Sequence, residues 1–351
     1  MDYTRLNLWA LDANFQLITI LSPYEVQWNV KYYECGDFSI QISPNQYSED
    51  FVYIYTPDRN NTGKIHKINY KEEDNGFSYI ELSGYFLEET LNDGIIYPSF
   101  NGGINDHVDV AVSNMVTQYK EDPELIIATP TQFGTNCNFQ PELGVNLMNQ
   151  TYNILQLHQC SYRVVYDFES NKKVFSIWQG LDRTQENTDG NNFVTFSTRF
   201  NNIKSPDVIM DDIKLKNYAV VKGNMSGDND IYELVDLSNG GIKKKTYIDS
   251  TDVEYTEGMS EQTYRSLLHT AGEQKLLSEY CREFNTQFDV LPNSYIYGED
   301  FNLGDKISII IEGINLSITA RIVAIYEVLK DNAHDITLEV GNQIYKGGLN
   351  K

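Results

Sequence analysis

The sequence predicts an α+β protein, mostly β, with two similar strand-rich modules at its ends, an inserted small α/β domain and an inserted helical segment. Three observations predict it. Short apolar–polar alternations bounded by turn residues recur near both ends. The chain carries 25 Tyr and 16 Phe among 351 residues, and aromatic side chains favour pleated, half-buried surfaces. The ends also echo one another. One constant separation carries Ile65, Ile68, Asp74, Asn75 and Gly84 onto Ile322, Ile325, Asp331, Asn332 and Gly341. A second separation carries Gly36-Asp37 and the strand through Ile42 onto Gly304-Asp305 and the strand through Ile310.

The elements follow in order. Residues 6–11 and 15–21 read as strands joined by the turn-forming Asp12-Ala13-Asn14. Residues 38–42 alternate with the two-residue period of a one-sided strand. Residues 64–70 and 77–82 flank Asp74-Asn75-Gly76, a hairpin whose Asn-Gly pair tolerates positive φ. Ile80 and Leu82 fall one residue out of phase with Ile336, Leu338 and Val340. A bulge or a shifted pairing between residues 74 and 84, or between 331 and 341, is expected to absorb the slip. Val108, Val112 and Met115 sit at helical spacing within 106–119, and Met148, Tyr152 and Leu155 do so within 145–159. Residues 162–166 and 173–178 form a hairpin around Glu169-Ser170-Asn171. Strands are expected at 193–198, 219–223 and 244–248. The longest helix is expected over 260–288, capped by Ser260, with Gly272 as a break or kink and Pro292 as its stop. Closing strands run from 305 to 344. The expected domains are 1–95, 96–180, 181–225 with 292–351, and 226–291.

Composition narrows function. Net charge is −23 and the sequence pI near 4.5, a field that repels nucleic acid and anionic lipid. The one basic run, Lys243-Lys244-Lys245, reads as a solvated edge strand. Hydrophobic residues make up 41% of the chain, and no stretch approaches the roughly 20 apolar residues of a membrane helix. The start lacks a signal-peptide layout, so folding in a cytoplasm is expected. Cys35, Cys137, Cys160 and Cys281 are widely spaced and read as reduced thiols.

Several successive segments resemble siphophage tail-hub proteins. They are Trp28 with Tyr32-Tyr33-Glu34-Cys35-Gly36-Asp37-Phe38, then Gly180-Leu181-Asp182-Arg183-Thr184, and then Phe196-Ser197 with Phe200-Asn201-Asn202. Lys216-Asn217-Tyr218, Val221-Lys222-Gly223, Tyr247-Ile248-Asp249 and Leu303-Gly304-Asp305 complete the series. The motif residues are Gly36, Asp37, Phe38, Gly180, Asp182, Arg183, Thr184, Phe196, Ser197, Asn202, Asn217, Gly223, Gly304 and Asp305. The resemblance covers about residues 5–345. It implies two tube-type β-barrels per chain and a homotrimer whose six similar units match a hexameric tail tube. It further implies a structural baseplate hub that joins the tube to tip, fibre or receptor-binding proteins and gates the channel. DNA would pass without binding, in a virion tail tip assembled in the host cytoplasm. Neither an enzymatic activity nor a cofactor nor membrane insertion is expected. Many relatives continue into fibres or wall hydrolases, whereas this sequence stops at Asn350-Lys351, so no attached lysin is expected.

Other chemistries leave weak traces. His158 and Cys160 lack further ligands nearby and read as packing, and no local feature supports a Cys–His nucleophile. Asp182-Arg183-Thr184 reads as a turn whose Asp and Arg pair with each other or bond backbone groups. Asp211-Asp212 and Glu72-Glu73 would suit a glycosidase only across a cleft. Asp228-Asn229-Asp230 lacks the calcium-loop spacing. The alternative function is a cell-surface carbohydrate-binding protein, motivated by tyrosine-rich β structure, with a wall hydrolase behind it.

Overall fold

The computed structural model describes residues 6–341, save 101, 102, 135, 226–228, 252, 257, 282, 293 and 332. Asn332, Asp228 and the tail from 342 therefore lie outside the described residues. The first strands are β1 (Leu8–Leu11), β2 (Leu17–Leu21), β3 (Glu25–Lys31), β4 (Asp37–Ile42), β5 (Tyr53–Thr56), β6 (Asn61–Glu72) and β7 (Ser78–Phe86). In β3 every second side chain, Val26, Trp28 and Val30, is buried, the alternation of a strand with one face on a core. Beyond a short helix at Leu87–Asp93 come β8 (Ile104–His107), α1 (Val108–Tyr119), β9 (Leu125–Ile127), β10 (Asn136–Asn138) and α2 (Leu147–Leu157). The hairpin β11 (Ser161–Asp167) and β12 (Lys172–Trp178) follows. Then come β13 (Thr195–Ser197), β14 (Ile203–Asp211), β15 (Tyr218–Asn224), β16 (Asp230–Asp236), β17 (Lys245–Asp249) and α3 (Glu261–Ser278). The last strands are β18 (Glu283–Val290), β19 (Lys306–Ile311), β20 (Leu316–Lys330) and β21 (Ala333–Gly341).

One 13-stranded sheet joins the two ends of the chain in the order β14-β18-β21-β20-β3-β4-β7-β6-β5-β1-β2, with β13 paired to β19 and β19 to β20. The fold is mostly β. The resemblance leads one to expect two closed barrels; among the described residues the ladder is instead open at β14 and β2. The reason lies in β20. Its first part, Leu316–Arg321, pairs with β19, and its second part, Ala324–Lys330, pairs with β3 on the same edge. The two halves thereby fuse, and one hydrophobic cluster holds Trp28, Phe38 and Phe86 together with Phe196, Phe288 and Phe301.

The halves have the same connectivity. The order β3-β4-β7-β6-β5 is matched by β14-β18-β21-β20-β19. Ile65 and Ile322 occupy equivalent sites, because each stands at a bulge in its strand, between Ile65 and Lys67 and between Ile322 and Ala324. The slipped phase arises elsewhere. Ile68 pairs with Leu82 and Ile325 with Leu338, while Glu72 pairs with Ser78 but Leu329 with His334. A shorter connection in the second hairpin sets its return strand back by one residue. Of the bulge or shifted pairing expected at 74–84 or 331–341, it is the pairing that shifts: the shared bulge lies on the outgoing strands, and the shorter turn absorbs the difference. Gly84 pairs with Ile65, whereas Gly341 pairs with Arg321, so that glycine echo is not structurally equivalent. Nor is the Gly36-Asp37 echo, since the counterpart of β4 is β18 rather than β19.

Three further expectations change. Residues 283–290 form β18 in the main sheet instead of continuing the helix. Phe284 and Phe288 are four apart, a spacing that suits a helix turn and a strand face equally; Thr286 between them, fully buried, reveals the two-residue period. Helix α3 runs unbroken through Gly272, where a Cβ would lie 2.4 Å from Val221 Cγ2. The glycine lets the helix approach β15 instead of kinking. β15 itself pairs with β16 and β17 under α3, not with the second end module. The middle unit packs α1, α2, β11 and β12 against Leu11, Phe15, Tyr53 and Tyr55 of the first half.

Candidate assembly site

Two buried polar nodes tie the units together. The first lies where β20 meets β3. Glu327, fully buried, sits opposite Trp28. Its carboxylate accepts Arg59 Nε at 3.0 Å and Arg59 Nη2 at 2.8 Å, the two-pronged geometry of a strong ion pair. His334 Nε2 lies 2.9 Å from the same carboxylate. The guanidinium also stacks 4.2 Å from the Tyr297 ring centroid. Burial opposes ionisation of Glu327, but hydrogen bonds from His334 and Arg59 outweigh it and hold the carboxyl below its usual range.

The second node gathers motif residues far apart in sequence. Asp305 Oδ1 accepts Leu181 N at 2.8 Å, and Oδ2 accepts Arg183 Nε at 2.7 Å and Asn302 N at 2.9 Å. Gly180 must be glycine, since a Cβ there would lie 2.1 Å from the carbonyl of Gly304. Gly304 has φ +81 and faces the Tyr32 ring. Its carbonyl accepts Arg321 Nη1, whose guanidinium carbon is 5.4 Å from the same ring. Tyr32 Oη donates towards Gln159 O at 3.2 Å. First half, middle unit and second half thus meet within one cluster. Asp182 does not pair with Arg183; it closes its own turn by accepting Thr184 N at 2.9 Å and Thr184 Oγ1 at 2.7 Å.

The other motif residues are local supports. Gly36 lies 2.5 Å, measured from an added Cβ, from Asn29 O. Asn29 Nδ2 donates to Asp37 Oδ1 at 2.7 Å, and Phe38 packs in the common core. Phe196 contacts Phe288 and Phe301 with centroids 5.3 and 5.4 Å away. Asn202 receives Ser197 N at 2.7 Å and donates to Thr195 O at 2.8 Å, closing the loop before β14. Asn217 accepts Lys244 N at 2.7 Å and donates to Ile242 O at 3.0 Å. At Gly223 a Cβ would lie 2.6 Å from Leu268. Phe38 and Phe196 share the common core, Gly223 packs against the one under α3, and none of the three joins the Asp305 node. Sequence reading missed the Glu327 node because Arg59, Glu327 and Tyr297 belong to no common motif.

The basic run behaves as an edge. Lys245 opens β17, an outer strand of its sheet, while Lys243 lies 2.6 Å from Asp236 and Lys244 3.7 Å from Asp212. Among the described residues no group of three or more His, Cys, Asp or Glu is placed to hold a metal, and no helix is long and apolar enough to cross a membrane. His158 caps the end of α2, where its carbonyl accepts the Cys160 thiol at 3.2 Å.

The middle unit carries a pH-sensitive contact. Glu88 accepts Val164 N at 3.3 Å, and Tyr162 Oη donates to the Glu88 carbonyl at 3.0 Å. Desolvation pushes the Glu88 carboxyl up to about 7, against the backbone hydrogen bonds that favour its ionised form. Because the folded value lies above the unfolded one, this contribution is whole below about pH 4.3 and is lost as pH rises towards 7. Melting temperatures measured from pH 5 to 8 should fall across that window, and Glu88→Gln should flatten the slope.

Residues 137–342 match the profile of the family described as Siphovirus ReqiPepy6 Gp37-like protein. No curated protein sequence matches the chain. Among solved structures, the tail protein from Neisseria meningitidis MC58 is similar at TM-score 0.61 and 11% identity, with 96% of each chain covered. The prophage MuSo2 43 kDa tail protein from Shewanella oneidensis is similar at TM-score 0.59 and 15% identity, covering 95% of this chain and 97% of that one. Prophage tail protein gp18 from Listeria monocytogenes EGD-e gives 0.51 and 13%, covering 97% and 95%. At such identities the likeness is one of fold.

Proposed function

The chain belongs to the Siphovirus ReqiPepy6 Gp37-like family and has the fold of phage tail proteins, and from that premise we propose that it is the structural hub at the distal end of a phage tail. The observation that carries the proposal is the pair of equivalent strand sets, β3-β4-β7-β6-β5 and β14-β18-β21-β20-β19, fused in one chain. Two equivalent modules per chain let a homotrimer present six similar units to a six-fold tube, which converts a symmetry mismatch into a repeated contact. In this role each half acts as a tube-type module. Residues 96–180 and 218–278, the latter running from β15 to α3, stand as insertions that face the tip, fibre or receptor-binding proteins. A net charge of −23 per chain suits a channel wall that DNA passes without adhering. The hub gates that channel at the virion's tail tip, after assembly in the host cytoplasm, and performs no catalysis.

Light scattering at micromolar concentration tests the reading. A species of three chains is the expected result. A stable monomer that also fails to assemble with tail partners would overturn it.

A further inference from the structure

We infer that the free edges of β6 and β14 are the two halves of one interface between copies of this chain, β14 of one copy adding to β6 of the next. The inference deepens the hub reading and rests on it. Its template is the seam already present inside the chain, where β3 pairs with Ala324–Lys330 of β20. The counterpart of β20 is β6, and the counterpart of β3 is β14. On β6, β5 pairs with Asn61–Lys64, and among the described residues the edge beyond Ile65 has no strand partner. Among the described residues β14 pairs with β18 alone and forms the open end of the sheet. One molecule thus carries one seam made and two half-seams unmade.

The register follows from the equivalence. Ile68 pairs with Leu82 as Ile325 pairs with Leu338, so Ile68 stands for Ile325. Leu82 and Leu338 are opposed by Ile40 and Phe288, and Thr286, the counterpart of Phe38, is opposed by Val208 as Phe38 is by Trp28. Val208 therefore stands for Trp28, Met210 for Val30 and Asp211 for Lys31. Transferring the seam's pairs Ala324–Lys31, Ile325–Val30, Glu327–Trp28 and Val328–Gln27 sets Lys67 opposite Asp211 and Ile68 opposite Met210. It sets Tyr70 opposite Val208 and Lys71 opposite Asp207.

This derived register is self-complementary. Two lysines meet two aspartates, and apolar meets apolar on the other face, each a favourable cross-strand pairing. In the finished seam Ile325 is 0% and Val30 5% exposed; in the unmade one Ile68 is 47% and Met210 57% exposed. Tyr70 at 57% completes the uncovered apolar face. Where the inner seam closes with Lys330 bridging Glu25 at 2.8 Å, the outer one sets Glu73 towards Lys204, the same pair with its charges exchanged. Two different surfaces meet, so the contact is heterologous and propagates around a ring.

The test uses the whole chain with Ile68→Cys and Met210→Cys together. Directly opposed strand residues lie within disulfide reach, whereas diagonal ones do not. β6 and β14 are separated in the sheet by β7, β4, β3, β20, β21 and β18, so a link between them joins different copies. Oxidation should convert most of the protein into covalently closed trimers on a non-reducing gel, while the diagonal pair Ile68→Cys with Val208→Cys and each single variant should not. Independently, Lys67→Glu or Asp211→Lys alone should weaken association at least ten-fold, and the two together should restore it. A wild-type trimer that shows neither cross-link nor charge rescue would overturn the seam and leave the hub reading standing. A wild-type monomer that also fails to assemble with tail partners would overturn both.

Discussion

Glu327→Ala is expected to lower folding stability by about 3–5 kcal/mol, because it strands the Arg59 guanidinium against a desolvated seam. The carboxylate it removes is fully buried and receives both prongs of Arg59 and the ring nitrogen of His334. Solvent does not reach those contacts, since Glu327 is fully buried in the β20–β3 pairing that unites the two halves. Glu327→Gln keeps the shape but not the charge and should cost less. Equilibrium urea unfolding at fixed protein concentration measures both. The wild type should also weaken in acid: the folded carboxyl is held below its unfolded value, so its contribution is present above about pH 4.3 and lost as pH falls through the folded value. The alanine variant should lack that part of the acid limb. An unchanged midpoint in Glu327→Ala would remove this pair from any role in joining the halves.

Asp305→Ala is expected to cost a similar amount, about 3–5 kcal/mol, by a different distribution of losses. Arg183 is buried with it, and two backbone N–H groups, of Leu181 and Asn302, lose their acceptor. Each buried donor left unpaired costs about 1–3 kcal/mol. Asp305→Asn retains one acceptor oxygen in place and should recover part of the loss. Because the node also contacts the middle unit through Gly180 and Tyr32, limited proteolysis should cut the alanine variant near residues 180–190 before the rest unfolds. Unchanged proteolysis and an unchanged urea midpoint would show the node to be dispensable.

Much of the local structure was legible. Val108, Val112 and Met115 marked α1, and the Tyr162–Trp178 hairpin lies within a residue or two of its expected limits. These segments have one period and a clear stop. Illegible elements had mixed signals: β14 contains Pro206 and an irregularity between Lys204 and Asp207, and Phe284 and Phe288 fit helix and strand alike. β3 carries a legible alternation too, with Val26, Trp28 and Val30 buried on one face. Among site residues, the Gly304-Asp305 and Gly180–Arg183 segments stood out individually, but their union did not. Of the two readings of the Asp182-Arg183-Thr184 turn, Asp182 follows the one in which it bonds backbone, accepting Thr184 N, while Arg183 reaches Asp305.

The sequence by itself determined that the chain is mostly β, that its ends are related through Ile65 and Ile322, and that its family is one of phage tail proteins. These follow from side-chain alternation and motif order, which neighbouring residues carry. Only the tertiary structure decided that the two halves share a sheet, that the shared bulge lies on β6 and β20, and that two matching edges stay exposed. Strand pairing spends backbone hydrogen bonds that are alike for every residue, so a sequence marks where a strand lies far better than which edge it meets. That choice is made by the whole core at once, and it is the edges left over that shape the proposed assembly.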